Sequence, residues 1–387
     1  MPKMQLVKPF EMIEVPTDSS HPDESKLLDQ GLRELIRDCD MTSQGIELRF
    51  ESEPSFFNSL GLYGEKHQVV FSRFPENQRK ISVLGVHSSR KAFLSGKPAN
   101  LGYIHHLRIH PNKRGGNLLA RGYQAFRQAS AANPTECLTT SILTENQIAR
   151  SLLENPNGRG PLPAYIKICD YLTAIFPINF PMKRWPIKSR MLYPSALTGR
   201  MLTQNDCREL YSLFWEFGSE NDGFPYFDED KIAENENIRP GLKISNFFGL
   251  WENNKLVAAI GIWDQRQFKQ VILRRVPFFL KFILKSIGLF PKNEQIDLAF
   301  LDPWIIKPGL EKRLLPALFN FVFFELRKTG YSFSAWGSPI NHPACQIVME
   351  KMVYIPYKSS IYQVDWPETP KLEFKRGKNL VFPLGML

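Results

Sequence analysis

The residues best suited to chemistry lie together at 103–119, YIHHLRIHPNKRGGNLL. Three histidines, His105, His106 and His110, precede a turn that carries Lys113, Arg114, Gly115 and Gly116. The apolar run 103–109 predicts a strand, Pro111 ends it, and Leu118, Leu119, Gly122, Tyr123 and Phe126 have helical spacing. A glycine turn between a strand and a helix leaves backbone N–H groups unpaired and aimed at one point, with the helix dipole behind them. Lys113, Arg114, Gly115, Gly116, Asn117 and Leu118 therefore form a candidate cradle for a phosphate-like anion. The plainer readings are a turn that merely ends a strand and two solvated charges. An imidazole beside the cradle would be mostly free base at neutral pH, its ordinary pKa being about 6.5.

The order Ile104, Leu107, Ile109, Pro111, Arg114, Gly115, Leu118, Leu119 resembles the acyl-CoA pyrophosphate motif of the GNAT N-acetyltransferase superfamily. Asn146, Ala149, Arg150 and Leu152 resemble that family's Asn-x-x-Ala-x-x-Leu helix after its fifth strand. The turn departs from the family pattern, since Asn117 and Leu119 stand where its second and third small residues would be. The resemblance implies an α+β fold of two GNAT-like domains, each a mixed, mostly antiparallel sheet flanked by helices. It implies acetyl-CoA, or another acyl-CoA, held by Leu107, Ile109, the 113–118 turn and Asn146. It also implies acyl transfer to a small-molecule or peptide amine by direct attack on the thioester, without a metal. His105 stands where many members carry a glutamate that deprotonates the amine, so it is the implied base, a histidine packed under a helix being the alternative. Strict alternation puts His105 with Leu107 and Ile109, and His106 with Arg108 and His110; a bulge would exchange the faces. The tyrosine with which the family protonates the departing thiolate is replaced by Leu153, leaving Tyr165 or Tyr171 as candidate acids. A CoA-binding protein without catalysis, and a lipid or nucleic-acid binder without chemistry, are the rival readings.

The chain divides as 1–176, a linker at 177–194 rich in proline and basic residues, 195–370, and a tail at 371–387. The second part repeats the first. Glu76-Asn77 and Gly85 recur as Glu252-Asn253 and Gly261, and Asn146 and Ala149 as Asn341 and Ala344. The second copy retains Gly309 but no Arg-Gly pair, so it predicts no second cradle. It also carries an insertion at 271–290, VILRRVPFFLKFILKSIGLF. That stretch reads as an internal helix packed between domains, or as a contact with a membrane or a lipid-like acceptor.

The 387 residues carry a formal charge of +10, which suits an anionic cosubstrate as well as nucleic acid or lipid; no nucleic-acid motif accompanies it. Five widely spaced cysteines without a CxxC pair give neither a disulfide framework nor a zinc site. Cys137 and Cys169, in apolar strand surroundings, read as core. These features, with no signal-like or membrane-spanning apolar run, lead to the expectation of a soluble cytoplasmic protein.

Overall fold

The computed structural model describes residues 7–16, 23–39, 41–43, 46–115, 117–154, 162–178, 197–234, 237–286, 290–291, 293–366, 374 and 379–387. Its main sheet has twelve strands. They are β1 Phe10–Pro16, β2 Lys66–Phe74, β3 Asn77–Leu94, β4 Lys97–Ile109, β5 Cys137–Leu143 and β6 Ala164–Pro177. The second half supplies β7 Leu197–Met201, β8 Phe247–Glu252, β9 Lys255–Asp264, β10 Leu298–Ile306, β11 Phe333–Pro339 and β12 Ile355–Asp365. Their spatial order is β1-β2-β3-β4-β5-β12-β6-β11-β10-β9-β8-β7. Pairing is antiparallel except at β4–β5 and β10–β11, one short parallel pair in each half. This is the expected α+β architecture of two GNAT-like halves.

The halves are interlocked. β12 lies between β5 and β6, and β6 lies between β12 and β11, so the last strand of each half is flanked on both sides by strands of the other. Of the linker expected at 177–194, residues 179–194 lie outside the described residues. The stretch expected as a tail is built into the fold at its end: Val381, Phe382 and Met386 are buried, and the Gly385 N–H donates to Asp302 at 3.0 Å.

Strand alternation distributes the apolar residues of the first half to both faces of the sheet, because helices cover both. Val69, Phe71, Leu84 and Val86 pack with Leu28, Leu32, Leu35 and Ile36 of the helix Asp23–Arg37. Val70, Val83, Ile104 and Leu138 pack on the opposite face, with Tyr123, Ala125, Phe126 and Ala129 of the helix Leu118–Ala132. In the second half one large core joins the helices Cys207–Glu220 and Glu311–Leu326 to Trp263, Trp304 and Trp336. It also takes in Phe93, Tyr103 and Leu172 from the first half.

The repeated glycine marks the same event twice. On β3, Gly85 alone faces His106 and Leu107 of β4, where the register shifts between Leu84–Arg108 and Val86–His105. On β9, Gly261 alone faces Asp302 and Pro303 of β10, between Ile260–Trp304 and Ile262–Leu301. Both are bulges, with two residues opposite one. A Cβ at Gly85 would lie 2.3 Å from the Phe126 ring, and one at Gly261 would lie 2.5 Å from the Asp302 carbonyl, so only glycine permits the approach.

The insertion differs from the favoured expectation. Its start is a strand, Gln270–Arg275, paired antiparallel with Ile46–Glu51 of the first half. The helix that follows, Phe278–Ser286, leaves Phe278, Phe279 and Phe282 exposed instead of buried between domains.

Candidate active site

The parallel pairing of β4 with β5 covers only Leu101–Cys137 to Ile104–Thr140. Beyond it the strands part, β4 continuing with β3 as far as Ile109 while β5 turns to β12 from Thr139 to Leu143. The base of this divergence is closed by the Thr140 hydroxyl, which donates to the Ile104 carbonyl at 2.8 Å, and by Tyr103 and Ser141, whose hydroxyl oxygens are 2.7 Å apart. Leu107 and Ile109 stand on the diverging edge, with side chains packed toward the core beneath the helix Leu118–Ala132.

The turn after β4 leads to an open helix start. Gly115 has φ +101° and open space around it, with no atom within 4 Å of where a Cβ would stand, and Arg114, Gly115 and Asn117 are exposed. Asn117 is the N-cap of the 15-residue helix Leu118–Ala132 but makes no side-chain cap bond, and the first turn has no acidic residue. Its leading N–H groups and positive dipole end therefore suit an anion. Gly116 lies outside the described residues. Lys113 is less free than the sequence suggested, its Nζ being 3.6 Å from Glu76 and 5.0 Å from the centre of the Phe74 ring. The equivalent turn of the second half already holds a carboxylate, since Gly309 donates its N–H to Glu311 at 3.3 Å.

Asn146, expected among the cofactor-binding residues, is engaged in a local helix cap. Its side chain caps the helix Gln147–Leu153 by accepting the Ala149 N–H at 3.1 Å. In the second half the equivalent cap is His342, accepting from Ala344 at 3.1 Å, not Asn341.

The bulge decides which histidine is available. His106 takes φ +52°, and this breaks strict alternation, so both His105 and His106 meet the Tyr63 ring. Ring centres lie 4.2 Å apart for His105 and 5.3 Å for His106. A chain of polar contacts follows: His106 Nδ1 to His105 Nδ1 at 2.6 Å, His105 Nε2 to Ser88 Oγ at 2.7 Å, and Ser88 Oγ to His67 Nδ1 at 2.7 Å. Both ring nitrogens of His105, the expected base, are thus occupied, and the residue is buried. His106 is only half-buried, and its hydrogen bond to His105 uses Nδ1, which leaves Nε2 for a substrate. Burial first, then the neighbouring histidines and Lys269 at His105 and the Arg108 and Lys269 cations at His106, holds both imidazoles well below their ordinary pKa, so both are neutral at physiological pH.

Lys269 enters this site from the second half. Its Nζ lies 5.3 Å, 5.6 Å and 5.9 Å from the ring centres of Phe50, Tyr63 and Phe300. Burial, and then the Arg108 cation, lowers its amine to about 8. No motif in the sequence singles out Tyr63, His67, Ser88 or Lys269.

The candidate acids are elsewhere. Tyr165 is buried on the opposite face of the sheet, hydrogen-bonded to the Tyr123 hydroxyl beneath the helix Leu118–Ala132. Tyr171 is buried and donates to the Phe382 carbonyl at 2.7 Å. Burial raises both phenols well above their usual range. Tyr165 is therefore corrected from catalytic to core, because its hydroxyl is committed and the sheet separates it from the histidines. Burial likewise pushes the Cys137 and Cys169 thiols to about 12, as expected of core cysteines.

Interlocked halves, a parallel pair that diverges beside an open helix start, and a bulge in each half define a tandem GNAT-like fold. Solved structures of the N-myristoyltransferase of Saccharomyces cerevisiae share it. One with bound myristoyl-CoA aligns over 99% of this chain and 86% of that one, at 14% identity and a TM-score of 0.59. A second covers 98% and 90%, again at 14% and 0.59. A third, with myristoyl-CoA and inhibitors, covers 99% and 88% at 13% and 0.58. At these identities the likeness is one of fold. No family model and no curated protein matches the chain.

Proposed function

We propose that the protein transfers an acyl group, acetyl or longer, from acyl-CoA to the amine of a small molecule or peptide. The carrying observation is the conjunction of an uncapped helix start, a diverging β4–β5 edge and a neutral histidine with a free ring nitrogen on the bulge between them. The first suits the CoA phosphates, the second gives the pantetheine a backbone edge to lie along, and the third takes a proton. The likeness to structures solved with bound myristoyl-CoA supports the same reading.

In this mechanism the amine nitrogen attacks the thioester carbonyl, forming the C–N bond; the C–S bond breaks, and CoA leaves as a thiolate that solvent protonates. The amine proton goes to His106 Nε2. That requires His106 to carry its own proton on Nδ1 and to donate it to His105 Nδ1. His105 then donates from Nε2 to Ser88, whose hydroxyl donates to His67 Nδ1. The opposite polarity would leave a proton on His106 Nε2 and no base. The proposed mechanism assigns the network the first polarity, in which the base is His106 and His105, Ser88 and His67 are positioning residues.

The test is thiol release from acetyl-CoA and longer acyl-CoAs with a panel of amines, peptides and aminoacyl compounds. His106→Ala is expected to lower kcat/KM by about 10²-fold or more while sparing acyl-CoA affinity. Ser88→Ala is expected to lower kcat by a smaller factor, with rescue by Ser88→Thr. Full activity in His106→Ala would remove it as the base. Acyl-CoA binding without transfer to any acceptor would favour the non-catalytic reading, for which the buried Leu153 at the family's acid position already speaks.

A further inference from the structure

We propose that the face formed by Arg274, Arg275 and the helix Phe278–Ser286 docks the protein onto an anionic phospholipid surface. Phe278, Phe279 and Phe282 are 86%, 68% and 67% exposed, and they succeed one another along one short helix. Other exposed large apolar residues, such as Ile148, Trp215 and Phe324, occur singly. At about 100° per residue, Phe278, Phe282 and Phe279 share one arc of the helix, and Lys285 and Lys281 continue it along one side. Arg274, Arg275, Lys281 and Lys285 are all exposed.

Charge identifies the occupant. Lys281 and Lys285 add two exposed cations to a face whose Arg274 and Arg275 are balanced by Glu294 at 3.4 Å and Glu47 at 3.7 Å, so the face is net positive. Two copies of such a surface would repel, whereas a bilayer rich in phosphatidylserine would attract it while its acyl boundary received the phenylalanine rings. The geometry favours lying on a membrane over crossing it. A nine-residue helix is about 14 Å long, less than half the thickness of a hydrocarbon core. No helix among the described residues is long and apolar enough to cross a membrane. The docking face is joined to the candidate active site by the six-residue strand Gln270–Arg275, which begins next to Lys269 and spans about 20 Å. A docked enzyme would thus hold its site close to the lipid surface.

The experiment is co-sedimentation of the full-length protein with vesicles of phosphatidylcholine alone and of phosphatidylcholine with 30% phosphatidylserine. Binding is expected to the second and to weaken as salt is raised. Lys281→Gln with Lys285→Gln should lower the partition coefficient roughly 25-fold, about fivefold for each lysine. Phe278→Ser, Phe279→Ser and Phe282→Ser together should lower it about 100-fold or more. These side chains are exposed, so the melting temperature should be unchanged, which separates lost docking from lost folding. Equal partition of wild type and the triple phenylalanine variant would overturn the proposal. So would no vesicle binding accompanied by a concentration-dependent dimer that the variant abolishes, which would make the occupant a second copy.

Discussion

Replacing Lys269 by methionine tests whether the second half tunes the base of the first. Methionine matches the length and apolar stem of lysine, so it can keep the place among Phe50, Tyr63 and Phe300 while removing the charge. Lys269 Nζ is 5.6 Å from the Tyr63 ring centre, itself 5.3 Å from that of His106, so cation and imidazole are at most about 11 Å apart. At an effective dielectric constant of about 20 this is at least about 1.5 kcal/mol, or about one pKa unit. With its amine lowered to about 8, Lys269 remains charged at the lower pH where His106 titrates. Its presence therefore lowers the imidazole pKa, and its removal should raise it by about one unit. Histidine-selective nitrogen NMR reads this without an acceptor, and the acid limb of the kcat/KM profile should move up equally. The ratio of variant to wild-type profiles cancels titration of the acceptor amine. An unmoved or lowered His106 pKa in Lys269→Met would refute the assigned geometry.

Gly115→Val should lose thermal stabilisation by acyl-CoA. The surrounding space is open, so the damage comes from forcing a β-branched residue to φ +101°, at a cost of about 1–3 kcal/mol; undiminished stabilisation would show that the turn is not the cradle. Burial lowers His67, His87 and His342 to about 4, against about 6.5 in an unfolded chain. The unfolded state therefore binds more protons between pH 6.5 and 4, and stability should fall as pH drops through that window, by up to about 1.4 kcal/mol per unit per histidine. Urea midpoints measured from pH 7 to 4 check this, and His87→Gln should flatten the slope. Because β6 and β12 are each flanked by strands of the other half, residues 1–178 or 195–387 expressed alone should fail to give a cooperative melt, whereas co-expression should restore one. A cooperative melt of either half alone would contradict this.

Local backbone demands were legible in the sequence. The strand, the basic glycine turn and the helix after it follow from apolar spacing, Pro111 and Gly115, and the structure places all three at 97–132. The recurrence of Gly85 as Gly261 was also visible, because a position that excludes a Cβ leaves a mark in any sequence that keeps the bulge. Whether the bulge was present, and so which of the two faces each histidine takes, was not visible. A single extra residue in β4 changes which side chains share a face, and whether it is present depends on the register against β3. Hence His105 was the sequence's candidate and His106 is the histidine with a free nitrogen. The polar chain joins His105 to Ser88 across 17 positions and Ser88 to His67 across 21, and Lys269 arrives from the other half. Tyr165 was left as a candidate acid because Leu153 stands at the position of the family's tyrosine, but the sheet puts it on the far face. Composition marked the insertion as greasy and basic, but only its pairing with Ile46–Glu51 showed that its helix is left facing outward. Periodicity and glycine placement record constraints a residue meets from its near neighbours, while the partners of a side chain are set by how distant strands align.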